Sequence, residues 1–314
     1  MPGALTQYAQ AGGLGAACAD SSAASTYSSQ LPAVLCGRYL LEQLLGSGGM
    51  AVVYRARDLL HEQFGEPDPL IAVKLLNEDF TATPDAGVLL YREFALTRHL
   101  CHPHVARPRA FEVDVRCQRA FITQDLLPGI GLDVLLCDQP GGVGEAELNA
   151  IALPLLDALA HVHQRGVVHG DLKPGNVMLT GGGPVIIDFG LAEPCEGVLS
   201  GLPRLGRGRF DAWTPGYAAP ELLDGAAPSL QTDVYAMACV LYELAGGKQP
   251  FGKMLSTAAR DQRLWRSLDP PANLPIRFWP ALRHALTLDV HKRTISAQEL
   301  HDAFCVQPIG RMQF

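Results

Sequence analysis

The fold of this chain is decided by the stretch His169-Gly170-Asp171-Leu172-Lys173-Pro174-Gly175-Asn176, which is followed by Asp188-Phe189-Gly190. The first stretch places an aspartate, a lysine and an asparagine in one short loop, and the second adds another aspartate soon afterwards. Such side chains can orient a hydroxyl group and hold metal-bound nucleotide phosphates together. Asp and Asn are also common in surface turns, which is the structural alternative. The combined spacing favours the functional interpretation.

Upstream of this loop lie a glycine-rich turn and a strand that carries a lysine. The turn is Gly46-Ser47-Gly48-Gly49-Met50-Ala51, and the strand contains Ile71-Ala72-Val73-Lys74. Glycines let the backbone N–H groups approach phosphate oxygens, which a Cβ would obstruct. An unpaired charge in an apolar strand would be costly, so we expect an acidic partner for Lys74. The best-placed candidate is Glu93, on the predicted helix that follows.

The order and spacing of these four motifs resemble the protein kinase family, from about Arg38 to Arg293. The resemblance implies an α+β, two-lobed protein kinase fold over residues 37–305. The small sheet-rich N-lobe would span about residues 37–126, and the larger helical C-lobe about residues 127–305. We expect residues 1–36 to be a flexible N-terminal arm, because their apolar side chains are mostly alanine, and residues 306–314 to be a short tail.

Apolar periodicity predicts the order of elements along the chain. Strands are predicted over residues 39–45, 52–57 and 71–75, and two more strands end at residues 121–124. Residues 60–69 are predicted to be a loop because they hold a glycine and prolines. Helices are predicted over residues 85–100, 145–164, 231–245, 278–286 and 296–304.

The resemblance implies an ATP site built from the glycine-rich turn, the strand lysine and the connection between the lobes. It assigns nucleotide contacts to Gly46, Ser47, Gly48, Gly49, Val53, Ala72, Lys74, Gln124, Asp125, Leu127 and Asp133. Gln124 would be the gatekeeper, and Asp125 with Leu127 would form the hinge that bonds adenine through its backbone. Asp133 has two interpretations of equal weight, a ribose contact and a helix start, since Asp is favoured at helix starts.

The same resemblance implies a division of labour at the reacting phosphate. Asp171 would orient the substrate hydroxyl as its proton leaves, and Lys173 would neutralise charge on the phosphoryl group. Asn176 and Asp188 would bind Mg²⁺ or Mn²⁺. The pair of Lys74 and Glu93, the remaining catalytic assignment, would grip the α- and β-phosphates of ATP.

Other positions indicate the kind of kinase. Lys173 and Thr214 match serine/threonine kinases rather than tyrosine kinases. Glu221, in Ala219-Pro220-Glu221, closes the activation segment that begins at Asp188. The cassette Gly-Ser-Gly-Gly-Met-Ala resembles the bacterial branch of the serine/threonine kinases. As in the family, Arg293 would be the buried partner of Glu221, and Asp233 would cap the catalytic-loop backbone.

Gly170 stands where many members of the family have an arginine before the catalytic aspartate. In those enzymes the arginine pairs with a phosphate on the activation segment and helps to order it. The hydroxyl side chains of this segment are Ser200, Thr214 and Tyr217, and its basic side chains include Arg204, Arg207 and Arg209. We therefore expect a kinase whose activity does not depend on activation-segment phosphorylation.

Composition limits the partners and the compartment. A net charge of -7 without a basic stripe argues against nucleic acid as the main partner. The eight cysteines form no Cys-x-x-Cys pair, which fits reduced thiols in a cytoplasmic protein. No run approaches the roughly 18 apolar residues of a membrane helix, so we expect no membrane insertion.

The expected partners are protein substrates and a cognate phosphatase. The N-terminal arm is a candidate for autophosphorylation at Ser21, Ser22, Ser25, Thr26, Ser28 or Ser29. One alternative is a pseudokinase scaffold, which the complete set of Lys74, Glu93, Asp171, Lys173, Asn176 and Asp188 disfavours. The other is a small-molecule kinase, which the Thr-Pro-Gly-Tyr and Ala-Pro-Glu elements disfavour, since these form the peptide-docking floor in protein kinases.

Overall fold

A computed structural model of the chain describes residues 31–48, 51–77, 86–199, 201–202 and 213–306. The predicted α+β class and the division into a sheet-rich N-lobe and a helical C-lobe are confirmed. Within the described ranges, no helix is long and apolar enough to cross a membrane.

The N-lobe is built on a six-stranded antiparallel sheet with the spatial order β1-β2-β3-β4-β6-β5. Its strands are β1 (Val34–Leu35), β2 (Tyr39–Ser47), β3 (Ala51–Asp58), β4 (Leu70–Leu76), β5 (Pro108–Asp114) and β6 (Arg119–Asp125). Its helices are α1 (Leu59–Gln63) and α2 (Ala86–Thr97). The strands and helix predicted here are therefore present, with small shifts at their ends.

Alternation along β4 decides which way the strand lysine points. Val73 and Leu75 are buried in one apolar cluster of the sheet, together with Phe121. Leu76 packs on the opposite face, in a separate cluster with Leu90 of α2. Because successive strand residues point to opposite faces, Lys74 shares the face of Leu76 and is directed toward α2.

The predicted loop over residues 60–69 begins instead as a helix, so this expectation is wrong at its N-terminal end. Asp58 is the N-cap of α1, and its carboxylate accepts hydrogen bonds from the backbone N–H groups of Leu60 at 3.1 Å and His61 at 3.4 Å. These bonds satisfy donors that have no partner inside the helix, which allows a helical turn in a segment that the prolines later end.

The predicted boundary between arm and domain is also displaced. Val34 and Leu35 pair with Leu40 and Tyr39 in the sheet, and the Leu35 side chain is fully buried. Residues 34–36 therefore belong to the folded N-lobe rather than to a flexible arm. Residues 1–30 of the predicted arm and residues 307–314 of the predicted tail lie outside the described residues.

The C-lobe is mostly helical, and short strands hold its functional loops. Its helices are α3 (Leu132–Asp138), α4 (Glu145–Gln164), α5 (Pro220–Leu223), α6 (Leu230–Gly246), α7 (Ser256–Asp261), α8 (Trp279–Ala285) and α9 (Ala297–Cys305). Its strands are β7 (Gly129–Gly131), β8 (Val167–Val168), β9 (Val177–Thr180), β10 (Gly183–Ile186) and β11 (Glu193–Pro194). The catalytic loop, residues 169–176, connects β8 to β9, and Asp188 follows β10 closely.

A buried ion pair joins the end of the activation segment to the C-lobe core. The Arg293 guanidinium lies 2.6 Å from the Glu221 carboxylate, and the Arg293 side chain is 0% exposed. It also donates to the carbonyl oxygens of Thr287 at 2.8 Å and Gln231 at 3.1 Å, and it lies over the Tyr235 ring. The pair predicted from the sequence is therefore formed, with its remaining donors largely satisfied.

Removing this guanidinium should destabilise the domain strongly. In Arg293→Met the Glu221 carboxylate loses its buried cation, so we expect the free energy of unfolding to fall by about 3–5 kcal/mol. Arg260→Met is the matched control, because the ion pair of Arg260 with Asp224 is exposed and worth about 1 kcal/mol or less. Urea unfolding of both variants measures the difference, and equal losses would contradict the assigned role of Arg293.

Candidate active site

The centre of the cleft between the lobes is a buried lysine held by two carboxylates. The Lys74 ammonium lies 2.6 Å and 2.7 Å from the two carboxylate oxygens of Glu93 on α2. It also lies 2.7 Å from the Asp188 carboxylate, which belongs to the C-lobe. Lys74 and Glu93 are both buried, whereas the Asp188 side chain is half exposed to the cleft. One ammonium group thus ties β4, α2 and the C-lobe together.

The charges of this network follow from its geometry. Burial alone would lower the pKa of Lys74, but the carboxylates of Asp188 and Glu93 outweigh it and raise that pKa above its ordinary value. The Lys74 ammonium lowers the pKa of Asp188 to about 2. Burial raises the pKa of Glu93, against the opposing effect of Lys74. At neutral pH, Lys74 is therefore a cation and Asp188 an anion.

The backbone around Asp188 is set by a buried ring and a left-handed residue. Phe189 is buried, and its ring lies 4.6 Å from the imidazole of His169, centre to centre. Asp188 itself has φ of 62°, a conformation that Asp tolerates better than most residues. A Cβ on Gly190 would lie only 3.1 Å from the Asp188 carboxylate. A glycine here therefore leaves room for the carboxylate to face Lys74.

A second polar cluster lies in the catalytic loop. The Lys173 ammonium lies 2.6 Å from one Asp171 carboxylate oxygen and donates to the Thr214 hydroxyl at 3.0 Å. That hydroxyl in turn donates to the other Asp171 oxygen at 3.1 Å. The Asn176 amide donates to the Asp171 carbonyl at 2.8 Å. These bonds fix the orientation of the Asp171 carboxylate from both sides.

One aspartate of α6 holds the backbone of the catalytic loop. The Asp233 carboxylate accepts hydrogen bonds from the backbone N–H groups of His169 at 2.7 Å and Gly170 at 2.9 Å. The ring Nε2 of His163 lies 3.1 Å from the same carboxylate. Asp233 is buried in the first turn of α6, where Ser229 caps the helix. The capping role predicted for Asp233 thus has the geometry that the sequence suggested.

A cavity of about 420 Å³ lies between the two clusters. Its walls include these predicted site residues: Gly46, Ser47, Gly48, Val53, Lys74, Glu93, Gln124, Asp171, Lys173, Asn176 and Asp188. Gly49 lies outside the described residues. The catalytic, phosphate-side and metal-side assignments are therefore brought together around one space.

The comparison with protein families identifies the family of the chain that carries this cleft. The family model of the protein kinase domain matches residues 39–304. The chain belongs to the protein kinase family. The curated relatives are bacterial serine/threonine-protein kinases, which confirms the resemblance to that branch.

Particular relatives give the extent of the similarity. The chain is 33% identical over 258 residues to the serine/threonine-protein kinase PkaA of Streptomyces coelicolor, covering 79% of this chain and 46% of PkaA. It is 36% identical over 245 residues to the DNA damage-responsive serine/threonine-protein kinase RqkA of Deinococcus radiodurans, covering 77% of this chain and 34% of RqkA. The chain therefore spans about half the length of the curated relatives it matches, or less.

The fold is similar to a solved kinase domain as well. The crystal structure of the PknI kinase domain of Mycobacterium tuberculosis matches with a TM-score of 0.60 and 27% identity. The match covers 86% of this chain and 95% of the PknI chain. The protein kinase fold predicted from the motifs is thereby confirmed.

Four residues with predicted nucleotide contacts do not line the kinase cleft cavity. Ala72 is buried in β4, and Asp125 forms an exposed ion pair with Arg109 at 2.6 Å. Leu127 and Asp125 line a separate hollow of about 340 Å³. Asp133 lies in the first turn of α3, two residues after the N-cap Gly131. The predicted backbone contact of Asp125 with adenine therefore stays a prediction, and for Asp133 both interpretations stay open.

The metal-binding assignment depends on the chemistry of two oxygen donors at the cavity. In the described part of the chain, no group of three or more His, Cys, Asp or Glu residues forms a metal site. Mg²⁺ is usually bound by one or two carboxylates together with substrate phosphates and water. The ionised carboxylate of Asp188 and the amide oxygen of Asn176, both at the cavity, match that oxygen-donor set.

Sequence reasoning missed some residues that the kinase cleft uses. Thr214 was predicted only as part of the substrate-facing segment, yet it bonds both Asp171 and Lys173. Apolar walls of the cavity come from Leu76, Leu89, Leu90, Ile187 and Leu191. No polar motif marks them, but the period-2 pattern of β4 and the helical spacing of α2 could have placed Leu76 and Leu90 on this face.

Removing the Lys74 charge should be more destabilising than removing it together with its partner. Lys74→Met leaves the buried Glu93 carboxylate without its cation, so we expect a loss of about 3–5 kcal/mol in the free energy of unfolding. Lys74→Met combined with Glu93→Gln removes that unpaired charge and should recover about 1–3 kcal/mol. Chemical denaturation of the single and double variants tests this; a double variant less stable than Lys74→Met would show that the pair is not coupled.

Proposed function

We propose that the protein is an ATP- and Mg²⁺-dependent serine/threonine protein kinase, which transfers the γ-phosphoryl group of ATP to hydroxyl groups of proteins. The observation that carries the proposal is the Lys74 ammonium held between Glu93 and Asp188 across the cavity from Asp171. This arrangement offers a cation for phosphates, oxygens for a divalent ion and a carboxylate for a hydroxyl group in one cleft.

The N-lobe side of the cavity would bind the nucleotide. The glycine-rich turn around Gly46 and Gly48 would cover the phosphates, and Lys74 would neutralise the α- and β-phosphates. Asp188 and Asn176 would hold Mg²⁺, which when bound neutralises charge on the β- and γ-phosphates. The two contacts with Glu93 orient the Lys74 ammonium toward the cavity, which reduces the reorganisation required at the moment of transfer.

The catalytic-loop cluster would handle the acceptor hydroxyl. Asp171, oriented by Lys173 and Thr214, would accept a hydrogen bond from the serine or threonine of the substrate and take its proton as the oxygen attacks phosphorus. Lys173 would compensate charge on the phosphoryl group as the bond to the β-phosphate oxygen breaks. Because Thr214 bonds both groups, the floor that receives the substrate also fixes the geometry of the base.

The wider assignments follow from the same proposal. The acceptor partners are proteins, the setting is bacterial signalling in the cytoplasm, and a cognate phosphatase reverses the modification. The N-terminal arm is a candidate substrate of the chain itself, at the serines and threonine between residues 21 and 29. Mass spectrometry of the purified protein after incubation with Mg²⁺ and ATP tests this assignment, and an unmodified arm would contradict it.

Exchange of the proposed base gives the direct test of activity. Asp171→Asn keeps the size of the side chain but cannot take a proton, so turnover should fall by about 10²–10⁴-fold. Asp289→Asn is the matched control, since Asp289 pairs with Lys292 at the surface far from the cleft. Phosphoryl transfer from radiolabelled ATP to the chain itself and to generic protein substrates measures both. Equal incorporation by Asp171→Asn and wild type would sink the proposal.

Independence from activation-segment phosphorylation is the second part of the proposal. Gly170 has φ of +83°, and a Cβ there would lie 2.6 Å from the carbonyl oxygen of Leu191. The loop therefore offers no arginine at this position to bind a phosphate. We expect Ser200→Ala to retain at least about half of wild-type turnover after phosphatase treatment, since Gly170 offers no side chain to anchor a phosphate on this segment. Ser200 lies outside the described residues. Loss of most turnover in Ser200→Ala would refute independence from activation-segment phosphorylation.

A further inference from the structure

Helix α2 carries a second ionic contact, directly beside the one that serves Lys74. Arg92 precedes Glu93 and is buried in the fold. Its guanidinium Nη2 donates to the carbonyl oxygen of Ala192 at 3.0 Å and forms an ion pair with the Glu193 carboxylate. Both acceptors lie near the start of the activation segment, a few residues after Asp188. The helix that holds Glu93 is thus fastened to the segment that follows the metal-binding aspartate.

Breaking the contact between Arg92 and Glu193 costs free energy because both side chains are largely removed from water. The Arg92 side chain is 3% exposed and the Glu193 side chain 15%. The other two guanidinium nitrogens of Arg92, Nε and Nη1, have no hydrogen-bond partner among the described residues. The hydrogen bonds that this side chain makes therefore run to the activation segment, and losing one partner would leave a buried charge uncompensated.

The far end of the contact is anchored to the catalytic loop. Glu193 pairs with Val168, and Pro194 with Val167, in the two-stranded sheet of β11 and β8. Strand β8 leads directly into the catalytic loop, whose backbone Asp233 holds. A continuous connection therefore runs from α2 through β11 and β8 to the loop that carries Asp171.

The charges of Arg92 and Glu193 already neutralise each other without any modification of the activation segment. Gly170 presents no side chain, so the catalytic loop contributes no cation next to Leu191. Arg92 does contribute a cation at the start of the segment, but Glu193 of the same chain neutralises it. A phosphate on this segment could bind Arg92 only by displacing the Glu193 carboxylate.

We propose that the Arg92–Glu193 ion pair is a built-in latch, which positions Glu93 against Lys74 without any phosphate on the activation segment. Arg92 is then a positioning residue that acts through Glu93, and Glu193 is the fixed anion. The inference rests on the proposed kinase function and gives its phosphorylation independence a physical cause. If the latch is opened, α2 is free to move away from the cleft, so the Lys74–Glu93 contact weakens while Lys74 keeps Asp188.

The latch makes a quantitative prediction for phosphatase-treated protein. Arg92→Met and Glu193→Gln should each lower kcat/KM for ATP by about tenfold, and together they should be no worse than Arg92→Met alone, since residues that act as one unit are not additive. Arg92→Lys, which can still donate to Glu193, should recover most of the loss. Arg55→Met is the control, because its ion pair with Glu42 is partly exposed and lies away from α2.

A double-mutant cycle with Glu93 separates positioning from general stability. In a Glu93→Gln background, Arg92→Met should change kcat/KM for ATP by less than about twofold, because the group it positions is already gone. A full tenfold loss in that background, or wild-type kinetics in Arg92→Met itself, would overturn the latch. Global stability from thermal unfolding accompanies each variant, and Glu193→Gln carries the test if Arg92→Met does not fold.

The same cycle can be read without any phosphoryl transfer. Calorimetric titration with a non-hydrolysable ATP analogue and Mg²⁺ should show about tenfold weaker binding in Arg92→Met but no further weakening in the Glu93→Gln background. If the variants show this binding pattern but the wild type labels no protein, the proposed function is refuted and the latch is kept. If the wild type labels protein and Arg92→Met binds the analogue as tightly as the wild type does, the latch is refuted and the proposed function is kept.

Discussion

The structure depends on one ammonium group that is shared by two lobes. Lys74 lies in a strand of the N-lobe sheet, yet its partners come from α2 and from the C-lobe, so three parts of the fold meet at this side chain. Burial would discharge a lone lysine, and here the carboxylates of Asp188 and Glu93 outweigh that cost. These contacts hold the charges of the cleft in a fixed pattern, which is the condition under which electrostatic catalysis is most effective.

Two further aspartates have different roles at the cleft. Asp233 bonds backbone N–H groups and so shapes the catalytic loop without touching the cavity, whereas Asp171 faces the cavity and is itself oriented by Lys173 and Thr214. Chemically identical side chains thus have structural and proposed chemical roles, set by which donors surround them. The ion pair of Arg293 and Glu221 extends the same support to the end of the activation segment.

Much of this could be predicted from the sequence, because polar motifs in a kinase cleft are short and locally ordered. The strands around Lys74 and the helix with Glu93 follow from period and spacing, and the capping role of Asp233 follows from the resemblance to protein kinases. Other features depend on contacts that no spacing encodes. The burial of Leu35 needs the register of β1 with β2, and the pairing of Arg92 with Glu193 joins residues about a hundred positions apart. The outward ion pair of Asp125 with Arg109 likewise needs the β5–β6 pairing.

The backbone at Gly170 also limits how this chain could change over evolutionary time. Its left-handed conformation and the nearby carbonyl oxygen of Leu191 leave no space for even one added carbon. Acquiring an arginine there would demand a simultaneous shift of two loops, not a single exchange of a codon. An arginine that could anchor a phosphate at this position is thus separated from the present sequence by a steric barrier.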